Sequence, residues 1–315
     1  MNWQLYRWTW QLQSPLYIGS LPAGPINRTR LYLPASTLRG AITSQLLTPS
    51  PTHNPYRHLG FHILRHTRLT YLYPSIHYHG EWLAFLPRYA EPDNPSHSHG
   101  LTWTLERHPQ ISIPHLHFRS LLLTTIPSTA IDPLSDTAQE ATLRSIEAIS
   151  PHIPLFKHSR LALTGYLLIP PDDPITQKIL DLHVLHIGGD RRYGLGILHR
   201  TECRPIHDPS PTLFHHTATI DLTTPHPTLT TTHLLAHTRL PTDLQPPQPF
   251  PYRPYGALEA LARWSYQRAL RRRPPLWTPG TLLLNITDSS PSSHTTRPPR
   301  LAIKPNGLWQ TLPTA

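Results

Sequence analysis

Short runs of alternating apolar and polar residues dominate the chain. In residues 3–12 the apolar set is Tyr6, Trp8, Trp10 and Leu12, and the polar set is Arg7, Thr9 and Gln11. This period of two predicts a half-buried first strand. Further strands are predicted at residues 68–74, 82–87, 111–125 (one or two strands around Pro114), 161–169 and 197–206, and a turn leading into a final buried strand at 277–286.

Three segments have helical features. Residues 31–47 read as the end of a strand followed by a helix capped by Ser36 or Thr37. Arg39 and Gly40 would lie in its first turn, where free N–H groups and the helix dipole favour an anion. In isolation, the commoner interpretation is a capped helix with a solvated arginine. A short helix is predicted at 175–182, and a basic amphipathic helix at 255–273. Residues 128–149 would suit a helix, but the segment is too short for periodicity to decide.

The most distinctive stretch is a glycine-arginine loop at residues 187–200, I-G-G-D-R-R-Y-G-L-G-I-L-H-R. Its glycines are Gly188, Gly189, Gly194 and Gly196. Arg191 and Arg192 carry the forked donors that suit phosphate, and glycine lets a polyanion approach the main chain. The loop is therefore predicted to hold a phosphate backbone. A glycine-rich turn between two strands needs no ligand, however, and from this stretch alone the two interpretations are evenly balanced.

Composition narrows the possible partners. The chain has 315 residues, 39 prolines, 23 histidines and a formal net charge of +10. The prolines argue against long helices, and the charge indicates a polyanionic partner without choosing between RNA, DNA and membrane. Cys203 is the only cysteine, which excludes an intrachain disulfide and a cysteine-based zinc site. The amino terminus reads as neither a signal peptide nor a membrane span, so we expect a soluble, cytoplasmic protein with no membrane partner.

Catalytic and metal-binding patterns are weak. Histidine pairs that could chelate a metal are His77 with His79, His97 with His99, His115 with His117, and His215 with His216. Most are expected to be surface residues that reflect composition, so no metal site and no catalytic residue is assigned. Asp172 and Asp173 read as a solvated turn after two prolines. Residues 19–44 contain no Asp or Glu, and binding is therefore favoured over catalysis.

Taken in order, several stretches resemble the RAMP superfamily of CRISPR effector proteins. Residues 31–42 (L-Y-L-P-A-S-T-L-R-G-A-I) are similar to its I-P-G-S-S-L-K/R-G-A-L helix entry, at Leu33, Pro34, Ser36, Thr37, Leu38, Arg39, Gly40 and Ala41. Residues 130–149 resemble its I-D-R-x-T-G-T-A-x-x-x-x-L-F-x-x-E segment, at Ile131, Asp132, Thr137, Ala138, Leu143 and Glu147. The loop resembles the hallmark G-G-x-R-S-x-G-x-G, at Gly188, Gly189, Arg191, Gly194 and Gly196. The chain departs from these patterns at Ala35, Pro133 and Arg192.

The resemblance implies an α+β fold with a ferredoxin-like (RRM-like) core. It implies a RAMP domain at residues 1–206, with hairpin insertions and the glycine-rich loop, and a second, degenerate module at 207–315. The resemblance also implies that Asp132 and the loop after this residue belong to a hairpin. The late segment W-T-P-G-T-L-L, residues 277–283, is similar to a segment found in the capping subunits of these complexes. The chain as a whole most resembles the type III-D form of the capping subunit.

The function implied is a non-catalytic subunit that binds CRISPR guide RNA and caps its five-prime handle in a type III antiviral ribonucleoprotein. Its partners would be other RAMP backbone subunits, the large polymerase-like subunit and, indirectly, target RNA, with no cofactor. RNA contacts are predicted at Ser36, Thr37, Arg39, Gly40, Gly188, Gly189, Arg191, Arg192, Tyr193, Gly194 and Gly196, with Tyr17, Tyr193 or Trp277 stacking on bases. The alternatives are a metal-independent, guide-processing endoribonuclease, a backbone subunit that cleaves target RNA, and a basic RNA-binding module outside this superfamily.

Overall fold

The amino-terminal alternation forms a central strand in a computed structural model that describes residues 3–47, 55–90, 100–154, 160–240, 252–261, 263–265, 268–271, 274–285 and 298–312. Over these residues the protein is α+β, with mainly antiparallel sheets and four α-helices, which confirms the predicted class. The helices are α1 (Ala35–Gln45), α2 (Pro55–His66), α3 (His115–Leu122) and α4 (Pro174–Leu180). None of them is both long and apolar enough to cross a membrane.

Strands account for most of the ordered structure described. In the first part of the chain they are β1 (Gln4–Leu12), β2 (Ile26–Asn27), β3 (Arg68–Leu69), β4 (Tyr73–Tyr78), β5 (Glu81–Tyr89), β6 (Leu101–Leu105), β7 (His108–Pro114), β8 (Leu123–Ser128), β9 (Ile131–Asp132), β10 (Thr137–Ala138), β11 (Arg144–Ile149), β12 (Ala162–Ile169), β13 (Val184–His186) and β14 (Ile197–Ile206). In the second part they are β15 (Thr212–Leu213), β16 (Ala218–Asp221), β17 (Thr228–Thr230), β18 (Thr238–Arg239), β19 (Tyr252–Tyr255), β20 (Leu258–Glu259), β21 (Arg263–Ser265), β22 (Arg268–Arg271), β23 (Leu276–Trp277), β24 (Leu282–Asn285), β25 (Arg300–Ile303) and β26 (Trp309–Thr311).

The larger sheet runs in the order β13-β14-β1-β12-β4-β5-β6-β7, with β3 also paired to β12. Strand β1 lies between β14 and β12, and Trp8 stands opposite Gly165 on one side and Cys203 on the other. Every residue of β12 is buried, as expected of a strand covered on both faces. A side chain at Gly165 would clash with Leu72 and with the carbonyl of Tyr71, so this glycine lets the segment between β3 and β4 pass close to the sheet.

Strand β1 is confirmed, but its predicted half-burial is wrong. Arg7 is 6% exposed and Thr9 is fully buried. Their polar groups are satisfied inside the protein, because Arg7 forms an ion pair with Glu106 and the Thr9 hydroxyl hydrogen-bonds to Thr164. The alternation of apolar and polar residues therefore distinguished the two faces of the strand. The polar face could also be buried, because its side chains have hydrogen-bonding and ionic partners inside the protein.

Several local predictions in the first part need correction. Helix α1 begins directly after Pro34, its N-cap residue, so neither Ser36 nor Thr37 caps it. Proline at this position pre-sets the backbone without a side-chain cap. Residues 108–128 form a strand, helix α3 and a second strand, where only strands were predicted.

The helix considered for residues 128–149 is wrong as well. These residues form antiparallel pairs, β8 with β11 and β9 with β10, in agreement with the hairpin that the resemblance implied. Asp132 shapes the tip of the hairpin by accepting hydrogen bonds from the Leu134 N–H (3.0 Å) and the Ser135 hydroxyl (2.9 Å), and these bonds lower the pKa of Asp132. The short helix near residue 175 is confirmed as α4, with Asp173 at its N-cap.

A second sheet, in the order β15-β16-β17-β25-β26-β18-β23-β20, contains most of the later strands. The basic helix predicted at 255–273 is wrong wherever these residues are described. Leu258–Glu259 pairs with β23, and Arg263–Ser265 pairs with Arg268–Arg271. Non-local pairing outweighs helix propensity here, a weak preference that tertiary context overrides. Residues 262, 266, 267, 272 and 273 lie outside the described part. Strand β24 matches the predicted late strand but is followed by β25 and β26, so it is not the last.

The two sheets share one apolar core. Polar contacts also cross between them: the Tyr71 hydroxyl lies 2.9 Å from His237 Nδ1, and the Tyr73 hydroxyl donates to the Leu235 carbonyl at 2.7 Å. The Phe214 N–H donates to the Tyr166 hydroxyl at 2.8 Å. Because these groups are buried, separating the sheets would leave several of them unpaired.

A half-buried histidine in the second part, His233, gives a pH prediction. The pKa of His233 is lowered to about 4, first by burial and then by the charge of Arg88. An unfolded histidine titrates near its ordinary pKa of about 6.5. His233 is thus neutral in the folded state, and the stability it contributes is complete above the unfolded pKa and is lost as the pH falls toward 4. We expect a loss of about 3 kcal/mol across that interval. Urea unfolding from pH 7 to pH 4 should show a shallower decline in His233→Gln, and equal slopes in both proteins would contradict the prediction.

Candidate nucleic-acid interface

The glycine-arginine loop connects β13 to β14, the strand next to β1. Left-handed backbone conformations at Asp190, Gly194 and Gly196 (φ 51°, 81° and 76°) fold it back on itself. Between them, residues Arg191–Tyr193 form a single 3-10 turn, in which the Tyr193 N–H donates to the Asp190 carbonyl at 2.9 Å. The loop is therefore a defined turn that projects three consecutive side chains.

The base of the loop is fixed to the segment that comes after β1. The Gly189 N–H donates to the Tyr17 carbonyl and the Gly196 N–H donates to the Pro15 carbonyl, each at 2.9 Å. A side chain at Gly188 would overlap the Tyr17 carbonyl, and one at Gly196 would overlap the Ile187 carbonyl. Packing inside the chain thus explains these glycines. Contacts of Gly188, Gly189, Gly194 and Gly196 with RNA stay a prediction.

The tip of the loop is exposed and basic. Arg191, Arg192, Tyr193 and Gly194 are all exposed, and Tyr193 retains 73% of its accessible surface. Among the described residues neither guanidinium forms an ion pair, and Arg191 makes only a 3.5 Å contact with the His186 carbonyl. Two arginines held out in solvent by a rigid turn can bind successive phosphates.

The hairpin of β8 and β11 adds a residue that the sequence did not single out. The Arg144 guanidinium lies over the Tyr193 ring, 5.7 Å from its centroid. Beneath them is an open cavity of about 260 Å³, lined by Ile126, Pro127, Ser128, Arg144, Ile146, Asp190, Tyr193 and Leu195. We call Arg144, Arg191, Arg192 and Tyr193 the loop surface. It combines three cations with one exposed aromatic ring beside an apolar floor, which suits a phosphate backbone carrying an unstacked base.

The α1 candidates lie on a helix that contacts β13, the strand that leads into the loop. Ser36 is exposed, whereas Thr37, Arg39 and Gly40 are half-buried. Arg39 donates to the Pro305 carbonyl at 3.4 Å. The turn at Gly307 packs on Ala35 so closely that a side chain there would overlap it. The first turn of α1 is thus partly covered by the carboxyl-terminal part of the chain.

The three predicted stacking residues differ in exposure. Tyr193 is exposed, and Tyr17 is half-buried with its ring against Gly189. Burial raises the pKa of Tyr17, and the negative charge of Asp190 adds to the rise. Trp277 pairs with Thr238 in the second sheet and packs against the core. Tyr193 is consequently the best placed of the three for stacking.

None of the described histidine pairs belongs to a group of three potential metal-binding side chains. His115 and His117 lie on α3 instead of a strand, and His115 accepts a hydrogen bond from Trp103 Nε1 at 3.0 Å. Burial, followed by the charge of Arg119, lowers the pKa of His115. His97 and His99 lie outside the described part.

A cluster of potential metal-binding side chains occurs elsewhere, at His62, His66 and Asp173. The solvated turn predicted at Asp173 is therefore wrong for this residue, whose side chain is 5% exposed.

These observations define an α+β protein of mainly antiparallel sheets that presents an exposed, basic, glycine-rich loop. No protein-family model and no curated protein matches the chain. Among solved structures, it is similar to a chain of the type III-B Cmr-beta complex bound to cognate target RNA and AMPPnP, with TM-score 0.49, 14% identity, and coverage of 88% of this chain and 85% of that one. A second structure of that complex, bound to cognate target RNA, gives TM-score 0.49 and 13% identity over 88% and 86%. The apo complex gives TM-score 0.39 and 13% identity over 65% and 98%.

Proposed function

We propose that this protein is a non-catalytic, guide-RNA-binding subunit of a type III CRISPR effector ribonucleoprotein, where it caps the five-prime handle. The ordered sequence landmarks support the superfamily. The observation that carries the binding role is the exposed pair Arg191 and Arg192, held on a turn whose glycines anchor it to the segment that comes after β1. The remaining partners are neighbouring backbone subunits, the large polymerase-like subunit and, indirectly, target RNA.

We propose that the first part of the chain has a ferredoxin-like core. Strand β1 is followed by α1 and then by β3 and β4, and β12 is followed by α4 and then by β14. In space these strands lie in the order β14-β1-β12-β4, all antiparallel. A βαββαβ sequence with that order is the ferredoxin-like arrangement. Residues 1–206 would form this domain and residues 207–315 a degenerate second module, in keeping with the change of sheet between β14 and β15.

Binding at the loop surface would be mainly electrostatic. Arg144, Arg191 and Arg192 would neutralise consecutive guide phosphates and release counterions, so affinity should fall with added salt. Tyr193 would stack on a splayed base of the handle, because its ring is exposed on one side and covered by Arg144 on the other.

Purification of the protein from its native operon, with sequencing of the bound RNA, tests the proposal. We expect guides that share a protected five-prime end. Cutting of repeat RNA by the free protein without metal, abolished by one histidine substitution, would instead identify a processing endoribonuclease. Cleavage of target RNA would identify a backbone subunit. Absence of any guide RNA would contradict all three assignments.

The loop gives a direct prediction. Arg191→Ala combined with Arg192→Ala should weaken binding of a guide RNA at least about tenfold, because two charge-assisted contacts are lost. The slope of log affinity against log salt should become shallower by about 1 to 2. Fluorescence anisotropy across a salt series measures both quantities.

A charge-matched control is available in the second part of the chain. Arg239→Ala combined with Arg253→Ala removes two other exposed arginines outside the loop surface. If the control loses as much affinity and slope as the loop variant, binding reflects only overall charge. If the loop variant loses neither, the loop has only a structural role.

A further inference from the structure

A cluster of three side chains joins α2 to the start of α4, away from the glycine-arginine loop in the sequence. His62 and His66 lie one turn apart on α2 and therefore share a face of that helix. Asp173 precedes α4 and caps it, accepting a hydrogen bond from the Ile175 N–H at 2.9 Å. Two histidines at this spacing on a helix form a common half of a transition-metal site, and a residue on another element can complete it.

The donor atoms already converge. His62 Nε2 lies 2.9 Å from Asp173 Oδ1, and His66 Nδ1 lies 2.6 Å from Asp173 Oδ2. One ligand atom from each residue lies within 4.8 Å of the other two. The cap holds the carboxylate in place, and the two imidazole rings are parallel, with centroids 4.3 Å apart. Little rearrangement is needed to direct all three groups at one ion.

The stacked rings argue against a purely ionic arrangement. Two imidazolium rings face to face would repel each other, and the single carboxylate of Asp173 can balance only one of them. A bound cation that takes a lone pair from each imidazole would remove this repulsion. Neutral imidazoles and one carboxylate are the donors that zinc-like ions prefer, whereas calcium and magnesium prefer oxygen donors alone.

Helix α2 packs against α1 but buries only a narrow face. Its only buried residue among those described is Ile63. An isolated helix of this length is marginal in water, so it needs tertiary contacts to persist. The histidine side chains are 41% and 32% exposed, which leaves a path for an ion and room for water to complete its coordination.

We propose that His62, His66 and Asp173 bind one divalent transition-metal ion of the zinc class, which fastens α2 to α4. Each imidazole binds through a nitrogen lone pair. A proton now shared between that nitrogen and the carboxylate moves to the other ring nitrogen or to solvent, and water supplies the remaining ligand. The site does not depend on the RNA-binding role of the loop surface.

Zinc titration of the full-length chain tests the site by calorimetry, after removal of metals with a chelator. We expect one equivalent of Zn²⁺ to bind, with a Kd that rises at least about tenfold in His66→Gln and in Asp173→Asn, since even outer groups of metal sites contribute tenfold or more. Asparagine preserves the cap of α4, so Asp173→Asn separates loss of the ligand from loss of the helix. Titration with Co²⁺ should give a visible absorption band in the wild type that His66→Gln lacks.

With 23 histidines in the chain, background binding must be measured. His207→Gln combined with His226→Gln removes two exposed histidines elsewhere and should leave the single equivalent unchanged. Hydrogen exchange in residues 55–66 should slow when Zn²⁺ is added to the wild type and not when it is added to His66→Gln. The proposal is overturned if cluster and control variants bind Zn²⁺ equally, or if the wild type binds no saturable equivalent.

Discussion

Glu106→Ala is expected to lower the free energy of unfolding by about 3–5 kcal/mol, because it would leave a buried guanidinium without its counter-ion. Arg7 donates two parallel hydrogen bonds to Glu106, at 2.9 and 2.7 Å, and the two side chains are 8% and 1% exposed. Burial alone would lower the pKa of Arg7, but the Glu106 hydrogen bond and the negative charges of Glu106 and Glu202 raise it overall. A guanidinium is not deprotonated in proteins, so Arg7 stays charged after the substitution.

The cost is large because the same groups tie distant strands together. Arg7 on β1 also donates to the Tyr166 hydroxyl on β12 at 2.9 Å and to the Trp82 carbonyl on β5 at 2.6 Å. The Tyr166 hydroxyl in turn accepts from the Phe214 N–H, at the entrance to the second sheet. Loss of the carboxylate thus disturbs one connected network, whose members are coupled more strongly than isolated pairs.

Guanidinium chloride unfolding measures the effect, and a neighbouring exposed pair supplies the control. Arg107 and Glu81 form an ion pair at 2.6 Å with side chains 42% and 50% exposed. Glu81→Ala should therefore cost only about 0–1 kcal/mol. Replacing both buried partners, with Arg7→Met and Glu106→Leu, should cost less than Glu106→Ala alone, since no unpaired charge remains. Equal losses for Glu106→Ala and Glu81→Ala would contradict the assignment.

Gly196→Ala is expected to be the most damaging single change in the glycine-arginine loop. The added methyl group would overlap the Ile187 carbonyl, which cannot move away freely because the Ile187 N–H donates a 2.8 Å hydrogen bond to the Gly196 carbonyl. Left-handed backbone costs a residue with a side chain about 1–2 kcal/mol, and displacing the neighbouring backbone adds about 1–3 kcal/mol. We expect a total loss of about 3 kcal/mol in unfolding free energy, together with weaker RNA binding.

Gly194→Ala is the matched control, because its backbone is also left-handed (φ 81°) but a methyl group there would meet no atom within 4 Å. It should cost only the backbone penalty of about 1–2 kcal/mol. Chemical unfolding and RNA anisotropy on both variants separate the two contributions. If Gly194→Ala and Gly196→Ala behave alike, the close packing of the loop against Ile187 is not what holds its shape.

The sequence predicted the elements that have a strong local pattern, although β1 is more deeply buried than its alternation indicated. The period of the apolar residues and the positions of proline and glycine directly explain strands β1, β12 and β14, helix α4 and the glycine-arginine turn. It was wrong for the described residues of the predicted helix at 255–273, where a helical arrangement of apolar and arginine residues gives way to strand pairing. Such pairing leaves no trace in local periodicity.

The candidate site shows the same division between local and distant information. Arg191, Arg192 and Tyr193 could be predicted from their position among the glycines, and all three are exposed in the structure. Arg144 was missed because only the fold brings the hairpin over Tyr193. Asp173 was predicted to be solvated because its two histidine partners are distant in the sequence. His62, for example, precedes it by 111 positions.

The packing of Gly307 against Ala35 and the contact of Arg39 with Pro305 affect how the protein folds during its synthesis. The two contacting segments are 266 positions apart, so the ribosome delivers them at well-separated times. Until the later segment emerges, the part of α1 around Ala35 lacks this cover and is open to misassociation. Completion of the surface around α1 should therefore come late relative to the synthesis of that helix, and nascent chains stalled before the later segment should be the form that chaperones retain.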